Sequence, residues 1–228
     1  LMEDLARDCD VLACTAVNHA RVTDTVQSLR ARGKMVFALL NDFAQGFREN
    51  YIGINNLSAG RVAGWMMSLA AKGPGKVALM VGSSRWHGHE LREAGFRTQF
   101  REMRRDLELL ESIFTLETRP IAYETTLALL KRHPDISGIC VAGGGMEGVI
   151  AALRELRQPH EVALVINELT QVSRAALVDG YATLAIATPL PELCRDLLGL
   201  MVRAALEGPA PVPGQHFLEA RILTPASL

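Results

Sequence analysis

The sequence predicts an α/β protein in which parallel strands are covered by helices on both faces. Three observations carry that prediction. Apolar runs of strand length occupy 11-14, 35-40, 51-54, 77-81, 109-114, 136-142, 162-166 and 183-187. Longer segments of helical period separate most of them, as crossover connections between parallel strands require. The turn Gly73-Pro74-Gly75, directly before Lys76-Val77-Ala78, is the strongest internal break.

Taken in order, Leu1-Met2-Glu3-Asp4-Leu5-Ala6-Arg7 reads as part of a helix already under way, so residues upstream are expected. Between the first two runs, Val22, Val26 and Leu29 fall at helical spacing and Gly33 terminates the helix. After the third run, Val62, Trp65, Met66 and Leu69 mark an expected packed face. A helix over about 89-104 is followed by a strand near Leu109 and a helix beginning near Pro120. Pro134-Asp135 leads into the strand around Ile139, and a glycine-rich junction then opens a helix packed through Val149, Ile150, Leu153 and Leu156. Val172, Ala175 and Leu177 define the next helix, and a long one spans about 190-206. Pro209, Pro211 and Pro213 stiffen the segment beyond it, and Gln215 to Leu223 is expected to add a final edge strand.

A chain of 228 residues buries roughly 70% of its unfolded surface, enough for one large core or two smaller lobes. Its net charge of -1, from 24 basic and 25 acidic residues, gives it no electrostatic grip on nucleic acid or anionic lipid. Cys9, Cys14, Cys140 and Cys194 lack Cys-x-x-Cys spacing and read as reduced structural thiols, which points to an intracellular protein. No run reaches the roughly 18 apolar residues of a membrane span, and no signal-peptide pattern opens the sequence.

Open α/β sheets hold ligands at the C-terminal edges of their strands, which directs attention to the polar residues there. Asn55 and Asn56 close the run 51-54, where a carboxamide can bind hydroxyls or, together with Ser58, cap the following helix. Arg92 carries a planar five-donor fork suited to adjacent hydroxyls or a carboxylate; a surface ion pair with Glu90 or Glu93 is the alternative. Trp86, in the polar loop Ser83 to His89, can lay its ring against a sugar or pack inward. Gly143 to Gly148 lacks the lysine and Ser/Thr of a nucleotide loop, which leaves a positive-φ turn or close backbone access to a ligand. Asn167 and Glu168 follow the run 162-166, where Glu168 either binds a polyol or caps the next helix. His87 and His89 do not share a helix face and complete no metal-ligand pattern. No Gly-x-Ser-x-Gly elbow is present, so neither catalytic residues nor cofactor nor metal are assigned.

With these residues in view, the chain resembles the effector-binding region of a LacI-type transcriptional regulator, within the type I periplasmic-binding-protein superfamily. Asn55-Asn56-Leu57-Ser58-Ala59-Gly60-Arg61 is similar to that family's Asp-Asn-x-x-Ala-Gly-Arg motif, with Asn55 in place of aspartate. Arg92-Glu93-Ala94-Gly95-Phe96 matches its Arg-x-x-Gly-Phe motif, whose arginine commonly contacts the sugar. The resemblance extends to Asn41-Asp42 and to Arg48-x-x-Tyr51, and it places Asp42 among the ligand candidates. Met146 falls where a subgroup carries a polar ligand residue, Asn167-Glu168-Leu169 resembles that subgroup's His-Glu-Leu, and Thr188 stands near its usual glutamine or asparagine. Replacing polar groups by Met146 and a carboxylate by Asn55 implies a less hydroxylated ligand or a weaker site, since a buried unmatched hydroxyl costs about 1-3 kcal/mol.

The resemblance implies two Rossmann-like lobes of the type I periplasmic-binding-protein fold, at 1-74 with 188-208 and at 75-187 with 209-228. It implies a small sugar-like effector between the lobes, a homodimer including the helices near 19-32 and 58-71, and operator DNA contacted only through an upstream helix-turn-helix headpiece absent here. It also implies a cytoplasmic location, no membrane association and no enzymatic activity. Two other readings share the architecture: a periplasmic sugar-binding protein of a transporter, and a small-molecule enzyme with an open α/β sheet.

Overall fold

The computed structural model describes residues 1–104 and 106–228. In chain order the elements are α1 (Met2–Leu5), β1 (Val11–Cys14), α2 (Ala20–Ala31), β2 (Met35–Leu39), β3 (Asn50–Ile54), α3 (Asn56–Ala70), β4 (Lys76–Val81) and α4 (His87–Met103). There follow β5 (Glu108–Leu109), β6 (Ile113–Phe114), α5 (Arg119–Arg132), β7 (Ile136–Val141), α6 (Met146–Leu156), β8 (Ala163–Asn167) and α7 (Gln171–Val178). The chain closes with β9 (Leu184–Ala187), α8 (Leu190–Glu207), β10 (Gly214–Leu218) and β11 (Arg221–Leu223). Its contacts divide it into two compact units: Leu1–Asn55, Arg85–Gly88 and Thr188–Glu219 form the first, and Asn56–Ser84, His89–Ala187 and Ala220–Leu228 the second.

The first unit holds a four-stranded parallel sheet in the order β1-β2-β3-β10. Because side chains alternate along a strand, β2 serves two cores: Val36 and Ala38 pack with Val26 and Leu29 of α2, while Met35 and Phe37 pack with Leu197, Leu200, Met201 and Ala204 of α8. The second unit holds a larger sheet, β11-β9-β8-β7-β4-β5, with β6 also on β4. Every pairing in it is parallel except that of β11 with β9. Val77 to Val81, Ile139 to Val141 and Leu164 to Ile166 are almost wholly buried, which is why these runs are continuously apolar instead of alternating. Cys140 lies inside this core as a free thiol, and burial pushes its pKa up to about 12.

The structure departs from the sequence reading in three places. The run 109-114 forms two short strands, β5 and β6, both against β4. The segment 215-223 forms two strands instead of one edge strand: β10 runs parallel to β3 in the first unit, and β11 lies antiparallel to β9 in the second. By contacts, the first unit's leading segment ends at Asn55, and 209-219 belong to that unit. Helix α3 sits in the second unit because it packs on β7, β8 and β9 of that sheet.

The third departure concerns which face of α3 is buried. Ala59, Gly60, Ala63, Gly64 and Met67 face inward, whereas Trp65 and Leu69 of the expected apolar face are 45% and 58% exposed. The cause is a close approach of the α3 and α4 backbones. A Cβ on Gly60 would collide with the Arg92 carbonyl oxygen, one on Gly64 would sit 2.7 Å from the Phe96 carbonyl oxygen, and one on Gly95 would collide with the Leu57 carbonyl oxygen. Small residues therefore take the inside, and the larger apolar ones are turned outward. The same device recurs where Gly148 of α6 meets the Arg119 carbonyl at the start of α5.

Adding one methyl at the α3–α4 contact is expected to force the helices apart, at a cost of roughly 1–3 kcal/mol for Gly60→Ala. Gly199 of α8 has nothing within 4 Å of its would-be Cβ, and Gly199→Ala is expected to stabilise by about 0.5–1 kcal/mol through helix propensity alone. Urea unfolding midpoints of the two variants against the parent check both signs.

Candidate functional site

In the second unit the parallel strands β4, β7 and β8 end together, and two of the polar residues singled out in the sequence, Arg92 and Asn167, meet the end of β7. Arg92, on the second turn of α4, donates from Nη1 to the Ala142 carbonyl at 2.9 Å and from Nε to Asn56 Oδ1 at 2.7 Å. Asn167, the last residue of β8, donates from Nδ2 to the Val141 carbonyl at 2.7 Å. The two side chains thus grip successive carbonyls where β7 ends.

Asn167 is only 5% exposed, and its Oδ1 has no hydrogen-bond partner. A buried acceptor left unmatched costs roughly 1–3 kcal/mol, so this atom is poised for a donor such as a ligand hydroxyl. Glu168 follows in a left-handed backbone conformation, φ 72°, that sends its side chain out of the strand register. Its N–H donates to the Ile186 carbonyl at 2.9 Å, and its own carbonyl accepts from Ser173 Oγ at 3.2 Å. The capping box of α7 is made by Thr170 and Ser173, so the capping alternative for Glu168 is taken by other residues.

Two further residues stand next to Arg92. Asn56 is buried, and its carboxamide orients the Arg92 guanidinium. His89 lies one helical turn before Arg92, with Nε2 3.5 Å from Glu117 Oε1. Burial, with the positive charge of Arg92 second, holds its imidazole down at about 4, and the nearby carboxylate does not offset this. Glu117 follows β6 in a loop where Leu116 and Glu117 both have positive φ, 50° and 58°. Nothing in the pattern of Thr115-Leu116-Glu117-Thr118 signals this bend, because neither residue is a glycine.

Met146, expected on the ligand surface, is instead 5% exposed in the hydrophobic core of the second unit. As the first residue of α6 its thioether packs inward, and Gly145 before it takes the positive-φ turn, φ 93°. Gly143 and Gly144 have ordinary φ, and they leave space for His89 and Glu117 respectively.

In the first unit, Asn55 stands half-buried directly after β3, and Thr188 is 6% exposed at the chain's return after β9. Asn41 donates from Nδ2 to the Ala16 carbonyl at 2.6 Å and accepts the Gly88 N–H at 2.8 Å, while the Asn18 N–H donates to the Arg85 carbonyl at 3.1 Å. These bonds hold the segment 85–88, with half-buried Trp86 in it. Asp42, a ligand candidate by resemblance, is committed elsewhere. Its carboxylate takes a two-pronged ion pair from Arg48, Nε at 2.5 Å and Nη2 at 2.9 Å, and Arg48 Nη1 donates to the Gly214 carbonyl at 2.6 Å. Both partners are under one-tenth exposed, so the pair fastens β10 beside β3. Among the described residues no group of three or more His, Cys, Asp or Glu side chains is placed to hold a metal ion.

A profile described as "Periplasmic binding protein domain" matches residues 1–209, and the chain belongs to this family. Among solved structures, the chain is similar to GanP, a glucose-galactose binding protein from Geobacillus stearothermophilus, at a TM-score of 0.90 and 19% identity, covering 100% of this chain and 80% of that one. It is also similar to a solute-binding protein of an ABC transporter from Burkholderia graminis in complex with D-arabinose (TM-score 0.88, 21% identity, 98% and 78% covered). A third is the fructose-binding periplasmic domain of the hybrid two-component system BT1754 (TM-score 0.87, 19% identity, 99% and 75% covered). At these identities the likeness establishes the type I periplasmic-binding-protein fold. No curated protein sequence matches the chain significantly.

Two outcomes follow for the residues around the site. Asp42→Ala leaves Arg48 buried without its counter-charge and is expected to cost about 3–5 kcal/mol in urea unfolding. For His89, the folded pKa of about 4 lies below the ordinary 6.5, so its contribution is intact above pH 6.5 and is lost as pH falls towards 4, by roughly 3 kcal/mol in total. Unfolding titrations at pH 7 and 4.5 check this, because His89→Gln is expected to remove that part of the pH dependence.

Proposed function

We propose that this chain binds a small sugar at the strand ends of its units and serves as the effector-sensing domain of a LacI-type transcriptional regulator. The observation that carries the binding reading is the arrangement at the end of β7. There the Arg92 guanidinium is aligned by Asn56 and the Ala142 carbonyl, and Asn167, bonded to the preceding carbonyl of Val141, keeps an unmatched buried acceptor. A fixed donor fork and a buried acceptor at the same strand end suit a polyol, whose hydroxyls both give and accept hydrogen bonds. The sugars named for the similar structures, glucose-galactose, D-arabinose and fructose, support this class of ligand.

The regulatory reading rests on the two motifs at Asn55 to Arg61 and at Arg92 to Phe96, and the free thiols agree with a reducing, cytoplasmic setting. In this reading the ligand is held between the two lobes that the resemblance implies. It favours one lobe angle in a homodimer and so couples sugar to operator affinity through an upstream headpiece, without turnover of the ligand. The similar structures favour a second reading, an extracytoplasmic sugar receptor serving a transporter or a sensor kinase. The encoded upstream sequence separates the two: a helix-turn-helix supports the regulator, a signal peptide the receptor.

Calorimetric titration of the purified chain with D-glucose, D-galactose, D-arabinose, D-allose and D-fructose tests the shared core of both readings. Arg92→Ala is expected to weaken the best sugar at least about thirtyfold, because charge-assisted hydrogen bonds of roughly 1.5–3 kcal/mol are lost. Equal affinity in the variant would remove Arg92 from the ligand surface.

A further inference from the structure

The pair formed by Glu117 and His89 is built into the second unit with unusual care for a loop carboxylate. Glu117 follows β6, and Gly82 and Gly144 follow β4 and β7, so all three stand at the same sheet edge as Arg92 and Asn167. The bend that presents Glu117 places two consecutive non-glycine residues in the left-handed region, which L side chains adopt only when the surroundings hold them there. The surroundings do so. The Leu116 N–H donates to the Gly82 carbonyl at 3.0 Å, and fully buried Thr115 donates from its hydroxyl to the Gly144 carbonyl at 3.2 Å while accepting the Glu117 N–H at 3.4 Å.

Three glycines make the space the pair occupies. A Cβ on Gly82 would collide with Glu117 Cγ, one on Gly143 would lie 2.7 Å from His89 Cε1, and one on Gly144 would lie 3.0 Å from Glu117 Cβ. Inside that space Glu117 Oε1 accepts the Gly144 N–H at 3.3 Å and faces His89 Nε2 at 3.5 Å. Among the described residues no hydrogen bond is made to Oε2, and the side chain is one-third exposed. An acceptor held at one oxygen and open at the other is suited to receive a ligand hydroxyl.

We propose that Glu117, oriented by His89 and the Gly144 amide, is a ligand-contacting carboxylate of this sheet edge and restricts it to uncharged sugars over their acidic counterparts. The proposal rests on the sugar-binding reading and deepens it. His89 stays neutral at ordinary pH, so it stands 3.5 Å from Glu117 Oε1 without cancelling the carboxylate's charge. With Glu117 and Glu168 at the same edge as Arg92, a second anion brought in by the ligand meets like charge. A hydroxyl donating to Glu117 meets an acceptor already in place. The unmatched Oδ1 of Asn167 at this edge calls independently for a donor, which a sugar hydroxyl supplies and a carboxylate does not.

The test is calorimetry on the full chain, with D-glucose, D-galactose, D-arabinose and D-allose against D-glucuronate and D-galacturonate as probes, for the parent, Glu117→Gln and Arg92→Ala. Melting temperatures of all three monitor the fold. The parent is expected to bind a neutral sugar at least thirtyfold more tightly than the matching uronate. Glu117→Gln is expected to weaken the neutral sugar about tenfold and to narrow that preference. If the Gln variant does not fold, Glu117→Asp replaces it, with weaker binding expected and the preference for neutral sugars retained.

A parent that binds neutral sugar, loses it in Arg92→Ala and keeps it unchanged in the folded Glu117 variant overturns this inference alone. Equal binding of uronate and neutral sugar by the parent overturns it as well. A parent that binds none of the probes overturns the sugar-binding reading together with it.

Discussion

The second unit depends on the contact of two helix backbones. Gly60 and Gly64 of α3 and Gly95 of α4 remove the side chains that would keep these helices apart, and carbonyl oxygens of each helix then lie against the other. That approach determines more than packing. It brings the first residue of α3, Asn56, within hydrogen-bond distance of Arg92 on α4, so the glycines that close the helix pair also align the guanidinium with the end of β7. A wider separation would leave Arg92 a long, mobile side chain with much entropy to lose on binding. The observed one is organised before any ligand arrives.

The polar groups at this edge divide into those satisfied by the protein and those held ready. Asn56 and the Ala142 carbonyl hold Arg92, Val141 holds the amide nitrogen of Asn167, and Gly144 holds one oxygen of Glu117. The remaining acceptor of Asn167 is not satisfied in this way. Partial satisfaction is costly in an ordinary core, where every buried polar atom needs a partner. At a binding surface the same deficit becomes affinity, because a ligand that supplies the missing donor recovers it. In the first unit the contrast is plain: Asp42 and Arg48 satisfy each other and fix β10, which leaves Asp42 little to offer a ligand.

This chain departs from the resembled motifs at particular positions. Asn55 carries no charge at a position where the resembled motif has a carboxylate, and Met146 has withdrawn into the core. Glu117 places a negative charge on a neighbouring loop of the second unit instead, and a histidine kept neutral by burial leaves that charge intact.

The sequence by itself determined the alternation of strands and helices, because buried parallel strands must be continuously apolar and their crossovers must show helical period. It also determined the position of Arg92 and Asn167 at strand–helix junctions, since loop and motif order are local properties. What it did not determine were relations between residues distant in the chain. The exposed side of α3 looked like its packed side, because apolarity alone does not reveal that a neighbouring backbone excludes large side chains. The pairing of Asp42 with Arg48, and of Arg48 with the distant Gly214, had no signal in the sequence, and Glu117 showed none until a non-glycine bend and three distant glycines placed it beside His89. Period and composition record what each residue tends to do alone, whereas close approach and hydrogen-bond pairing are settled only when the tertiary structure decides which groups meet.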